Sequence, residues 1–187
     1  MMKFSQIRNR RIRRGNAGGF SLIELLVVVA IILIIAAIAI PHLLNARMAA
    51  SAAAAAESIR TITTASMAYS STWNNGFPPS LAALGGPVGA SIPNCNQSLL
   101  LDPIVSSPPF QKSGYSFAYT PTGAPVPAPP GCSAAGTSAY LVTATPTNYQ
   151  LTGVDSYCSD EPGTIHFDTS GATAASELAC ELLPTLQ

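Results

Sequence analysis

One carboxylate, Glu24, interrupts the run from Phe20 to Ile40, which otherwise holds no charged residue. A carboxylate inside the hydrocarbon core of a membrane costs about 2.5 to 3.5 kcal/mol on insertion scales. Such a residue calls for a cationic partner or for escape to the headgroups. Four cysteines, Cys95, Cys132, Cys158 and Cys180, all lie beyond that run. In an oxidising compartment they would form disulfides, and four cysteines allow three pairings that spacing alone does not decide. Zinc held by Cys158, His166 and Cys180 is the competing chemistry. It is weakened by the lack of a Cys-x-x-Cys pair and by strand alternation, which puts His166 on the face opposite Ile165 and Phe167. Asp155, Asp160, Glu161 and Asp168 crowd around one predicted hairpin and offer the hard oxygens that calcium takes, but without EF-hand spacing; acids in turns are ordinarily just solvated. There is no glycine-rich phosphate loop, no Gly-x-Ser-x-Gly and no His-Glu-x-x-His. The expectation is a chain that is not an enzyme, with no cofactor and no metal.

The elements that place these residues are legible in the charge and hydropathy pattern. Nine basic and nine acidic residues cancel among 187, yet Lys3, Arg8, Arg10, Arg11, Arg13 and Arg14 all precede the first acid, Glu24. After residue 19 only Arg47, Arg60 and Lys112 face all nine acids, a net of −6, which argues against nucleic-acid binding through overall charge. The apolar run spans roughly 30 Å as a helix, enough to cross a bilayer. Its basic flank keeps the N-terminus cytoplasmic and exports everything beyond Pro41. A cleaved secretory signal is the alternative, disfavoured because the run exceeds a usual apolar region of about 7 to 15 residues and no clear small-x-small cleavage site precedes Pro41. His42 falls at headgroup level.

Helical pattern continues past Pro41, which should kink or locally melt the helix by removing one hydrogen bond. The Ala/Ser run from Ala49 to Ala56 is a strong helix former whose small side chains also suit close helix packing. Ile59, Ile62, Ser66, Tyr69 and Trp73 then fall on one helical face able to cover a core, with an end expected near Asn74-Asn75-Gly76. Residues 76–113 read as an ordered connecting loop with one or two helical turns. Tyr115, Phe117 and Tyr119 alternate as a strand ending at Pro121, more suited to a core than to a ligand platform. The five prolines of 121–131 suit an exposed extended loop. Ala139 to Thr145 is a second strand, and Val154 to Ser159 with Thr164 to Asp168 form a hairpin about Asp160-Glu161-Pro162-Gly163.

Basic residues followed by Gly18-Gly19-Phe20-Ser21-Leu22-Ile23-Glu24-Leu25-Leu26, then a long apolar helix with Pro41 at its kink position, resemble the N-terminus of type IV pilins and type II secretion pseudopilins. The resemblance implies an α+β pilin-like fold, a long N-terminal helix packed on a small antiparallel sheet. It implies a leader, 1–19, removed by a prepilin peptidase cutting between Gly19 and Phe20, and N-methylation of Phe20. It also implies a membrane and filament-core half-helix over 20–40, an amphipathic half over 41–75, the connecting loop, and a sheet with a disulfide-bounded C-terminal loop over 114–187. Glu24 would set axial register by pairing with the freed amino terminus of a neighbouring subunit. The favoured disulfides are Cys95 with Cys132 and Cys158 with Cys180, the latter bounding a C-terminal loop as in many pilins. Partners implied are further copies in a helical filament, the prepilin peptidase, the inner membrane and its pilus assembly platform. The filament is expected to be an extracellular type IV pilus. A periplasmic pseudopilus is the alternative, although the pseudopilin Asp-Pro-Trp-Gly-type segment is missing, since Ile104-Val105 follow Asp102-Pro103. A minor, ligand-binding pilin is the remaining alternative.

Overall fold

The computed structural model describes residues 19–87, 89 and 92–186. The basic leader expected over 1–19 lies outside them, Gly19 excepted. The chain divides into two compact units, Met1–Pro41 and His42–Gln187. Helix α1 (Leu22–Trp73) begins in the first and continues in the second. Its helical course is unbroken at Pro41, so the local melting expected as one option there is not adopted. Proline forfeits one bond, to the Ala37 carbonyl, while Ala and Leu on either side favour helix.

In the second unit the sheet is antiparallel, five-stranded and ordered β1 (Gln111–Lys112), β2 (Tyr115–Val126), β3 (Gly136–Pro146), β4 (Ser156–Ser159), β5 (Ile165–Asp168). Direct pairing puts Phe117 opposite Ala144, Ala144 opposite Tyr157, and Val142 opposite Ser159 and Tyr119, so these side chains share one face. That face meets α1. Ile59, Ile62 and Tyr69 are fully buried against Tyr115, Phe117, Tyr140, Val142 and Ile165, as the helical spacing predicts. Each buried aliphatic side chain there contributes roughly 1.5 to 3 kcal/mol. Ala55 and Ala56 of the small-residue run are taken up by this core as well, which leaves Ala49, Ala50 and Ala53 exposed for other contacts.

The connecting loop carries two short helices, α2 (Leu81–Leu84) and α3 (Pro103–Ser106). Asp102 caps α3 by accepting the Ile104 N–H at 2.9 Å. One buried side chain, Asn75, ties the helix end to the sheet. Its Nδ2 donates to Tyr69 Oη at 3.2 Å and to the Ala134 carbonyl at 3.3 Å, and its Oδ1 accepts the Gly136 N–H at 3.2 Å. Gly136 is required by this close approach, because a Cβ there would strike the Asn75 carbonyl.

Three features depart from the sequence expectation. β2 does not end at Pro121 but runs to Val126, with an irregular register between Thr122 and Pro125. β1 pairs with it only through Gln111 and Lys112, so the missing N–H of Pro121 falls on an unpaired edge and costs no ladder bond. The proline-rich loop is correspondingly confined to 127–135. The other two, β1 and a C-terminal helix α4 (Glu177–Glu181), were not expected. A two-residue strand carries no periodicity. For α4 a signal existed: Ser176 caps it, accepting the Ala179 N–H at 3.2 Å, with Glu177 in the first turn.

Candidate assembly site

Gly19, Phe20 and Ser21 precede α1 in non-helical conformation, and the helix closes its first bonds when the Glu24 and Leu25 N–H groups donate to the Ser21 carbonyl at 3.1 and 3.2 Å. Glu24 therefore stands in the first turn, where the unsatisfied N–H dipoles favour a carboxylate. Phe20 is 79% exposed, and nothing lies within 4 Å of where a Gly19 Cβ would stand, so no packing within the described chain demands glycine there. From Leu22 to Leu44 the apolar side chains are exposed, Ala36 alone being half-buried. The most apolar 18 consecutive residues of this helix have a mean hydropathy of 3.3, and the helix is long and apolar enough to cross a membrane. A stripe apolar on every side must be covered by lipid or by other helices.

Residues 14–40 match the family described as the prokaryotic N-terminal methylation motif. This segment is similar to the N-terminal signature of type IV pilins and pseudopilins. No curated protein and no solved structure matches the chain. The matched segment includes most of the exposed apolar stretch of α1, so the motif and a helix long and apolar enough to cross a membrane coincide.

In this chain both favoured disulfides are formed, Cys95–Cys132 and Cys158–Cys180, and among the described residues no cysteine is free. The first joins the connecting loop to the β2–β3 turn. It is flanked by Asn96, which bonds the Gly131 carbonyl and the Ser133 N–H, and by Tyr69, whose hydroxyl donates to the Cys95 carbonyl at 2.8 Å. The second fastens α4 to β4 on the sheet face away from α1, where Leu141, Cys158 and Cys180 form a small core of their own. Zinc at Cys158, His166 and Cys180 is thereby overturned, since both sulfurs are spent on each other. His166 is buried instead by the C-terminal tail. Its Nδ1 lies 2.7 Å from the Leu183 carbonyl, an acceptor only, so that nitrogen carries the proton.

The acids of the final hairpin do not converge. Among the described residues no three His, Cys, Asp or Glu side chains gather closely enough to hold a metal ion. Asp160 is buried in the β4–β5 turn, whose Gly163 has φ +78° and packs toward Thr63 of α1. Burial, then the adjacent Glu161 and the more distant Glu181, push the Asp160 carboxyl up, with His166 opposing. Burial also raises the phenols facing α1, Tyr140 to about 12 and Tyr119 higher still, against the Thr63 and Ser66 hydroxyls respectively. These groups are packing devices of the helix–sheet interface.

A raised carboxylate pKa means that the folded state binds the Asp160 proton more tightly than the unfolded chain. Its contribution to stability falls as pH rises from the unfolded value near 3.8 through the folded one. Asp160→Asn should therefore stabilise the chain at pH 7 and lose that advantage below pH 4. Thermal melts of detergent-solubilised full-length chains across pH measure this. An advantage independent of pH would show that the carboxyl is not the cause.

Proposed function

We propose that this chain is a structural pilin subunit that is cut between Gly19 and Phe20 by a prepilin peptidase, methylated on the new amino terminus, and polymerised into a type IV pilus. The observation that carries the reading is the exposed apolar helix from Leu22 to Leu44 with Glu24 as its lone carboxylate. Before assembly, lipid covers that surface, with the N-terminus cytoplasmic and the body exported. After extraction by the assembly platform, the same surface is covered by equivalent helices of neighbouring copies. Glu24 then has a partner available every time a subunit is added, the Phe20 amino group of another copy, which sets axial register. Pro41 marks the level at which the buried half-helix gives way to the half covered by its own body.

Shearing the cell surface, collecting filaments and determining intact mass and N-terminal sequence tests this. The expected chain begins at Phe20, carries the mass of one added methyl group, and is recovered in filaments. A chain beginning at Met1 or beyond Pro41 would refute processing, and recovery only in periplasmic fractions would assign the chain to a pseudopilus. Gly19→Ala should be processed well and Gly19→Leu poorly. The chain itself leaves room at this position, so any intolerance comes from the peptidase pocket.

A further inference from the structure

Helix α4 is held by Cys180 and by Glu177, whose carboxylate accepts the Thr122 hydroxyl of β2. Cys180 is 0% exposed and bonded to Cys158, and positions two residues away on either side are turned by about 200° around a helix of 3.6 residues per turn. The disulfide therefore turns Leu178 and Leu182 outward, at 66% and 79% exposure, with exposed Glu181 beside them on the same side. Two leucines and an acid form a knob with no partner among the described residues.

The same unit carries a groove of about 310 Å³ on α1, lined by Ala65, Ala68 and the 41%-exposed Leu100 together with Thr61, Thr64, Arg60 and Glu57. Charge selects what enters it. From residue 113 to 187 there are six acids and no Lys or Arg, so packed copies would repel unless these acids find bases on a neighbour. Of the three bases after residue 19, Lys112 pairs with Asp102 at 3.7 Å, and Arg47, exposed on α1, does not line this groove. Arg60 does, and within its own chain it reaches the exposed Glu57 one helix turn away, at 3.5 Å, a weak, solvent-screened pairing.

We propose that the Leu178–Glu181–Leu182 knob of one copy docks in the Arg60–Leu100 groove of the next, apolar against apolar and Glu181 against Arg60. The two surfaces differ, so the contact is head-to-tail, and such contacts propagate as open helical arrays when rotation does not close them. This rests on the filament reading and specifies a body contact in addition to the helix packing.

The test is charge exchange in the full-length chain, read as the ratio of sheared filament to membrane-held subunit. Arg60→Glu and Glu181→Arg should each lower that ratio roughly fivefold, equivalent to about 1 kcal/mol per contact. The double variant, which restores opposite charges across the contact, should recover the parent ratio. Leu182→Ser should lower it too, without touching charge. Thiol labelling checks that Cys158–Cys180 is intact in every variant, so a folding defect is not mistaken for lost docking. Single variants at the parent ratio, or a double variant no better than the singles, would overturn the contact while leaving filament formation standing. Absence of the parent chain from filaments would overturn the filament reading and this contact together.

Discussion

Glu24→Leu should insert into the membrane and be processed as the parent is, yet largely fail to enter filaments. In the membrane pool the substitution removes a charge and eases insertion. In a filament it leaves the amino terminus of a neighbouring Phe20 buried without its counter-charge. Breaking a buried pair in this way costs about 3 to 5 kcal/mol, whereas an exposed one costs little. The helix exposes its apolar side chains all round, so within an assembly the Glu24 environment becomes dry. Glu24→Gln keeps size and hydrogen bonding but not charge, and should fall on the same side as leucine. Comparing sheared filament with membrane-held subunit for both variants decides the matter. Unchanged ratios would mean that Glu24 serves only its own helix end, where first-turn acids are favoured anyway.

Replacing both Cys158 and Cys180 by alanine should destabilise the body by about 3 kcal/mol, the loop-closure entropy expected for a bridge spanning 22 residues. The damage should be local before it is global. The C-terminal tail is otherwise held by the Phe167 N–H to the Pro184 carbonyl at 3.0 Å, the Leu186 N–H to the Ile165 carbonyl at 2.8 Å, and the His166 contact. Loss of the bridge frees α4 and uncovers Leu141 on the outer sheet face. Limited proteolysis of the full-length chain should then cut first between 169 and 186. The Cys95–Cys132 pair spans 37 residues and closes a longer loop, but Tyr69 and Asn96 continue to hold its ends. Its removal should leave the tail protected. Equal thermal midpoints and identical digestion patterns for parent and Cys158/Cys180 variant would refute this account.

Helical positions were legible where one face had to be apolar: Ile59, Ile62, Ser66 and Tyr69 are all fully buried. The connecting loop was legible as a class, and Leu81–Leu84 did become a helical turn. What escaped was decided by partners distant in the chain. Pro121 looked like a strand end because proline breaks a ladder bond. Nothing local reveals that β1 is too short to offer one at that position. Asn75 looked like part of a turn and is a buried hub, because its three partners come from Tyr69, Ala134 and Gly136. The acidic hairpin suggested a cation site by composition, but strand alternation and a tight turn disperse those carboxylates. At the N-terminus, by contrast, the motif of residues 14–40 is contiguous, and contiguous information needs no fold to be read.

The outer edge of β2 bears on how such a chain is stored. On the proposed reading, subunits waiting in a membrane would be crowded side by side, with their bodies presented in a common orientation. Crowded sheets with open edges recruit one another into indiscriminate stacks. Along its unpaired margin β2 carries Pro121 and Pro125, with an irregular register between Thr122 and Pro125. That margin cannot offer an unbroken row of donors to a passing copy. In the proposed filament, growth would thereby be withheld from the reservoir and reserved for surfaces that can be engaged one subunit at a time.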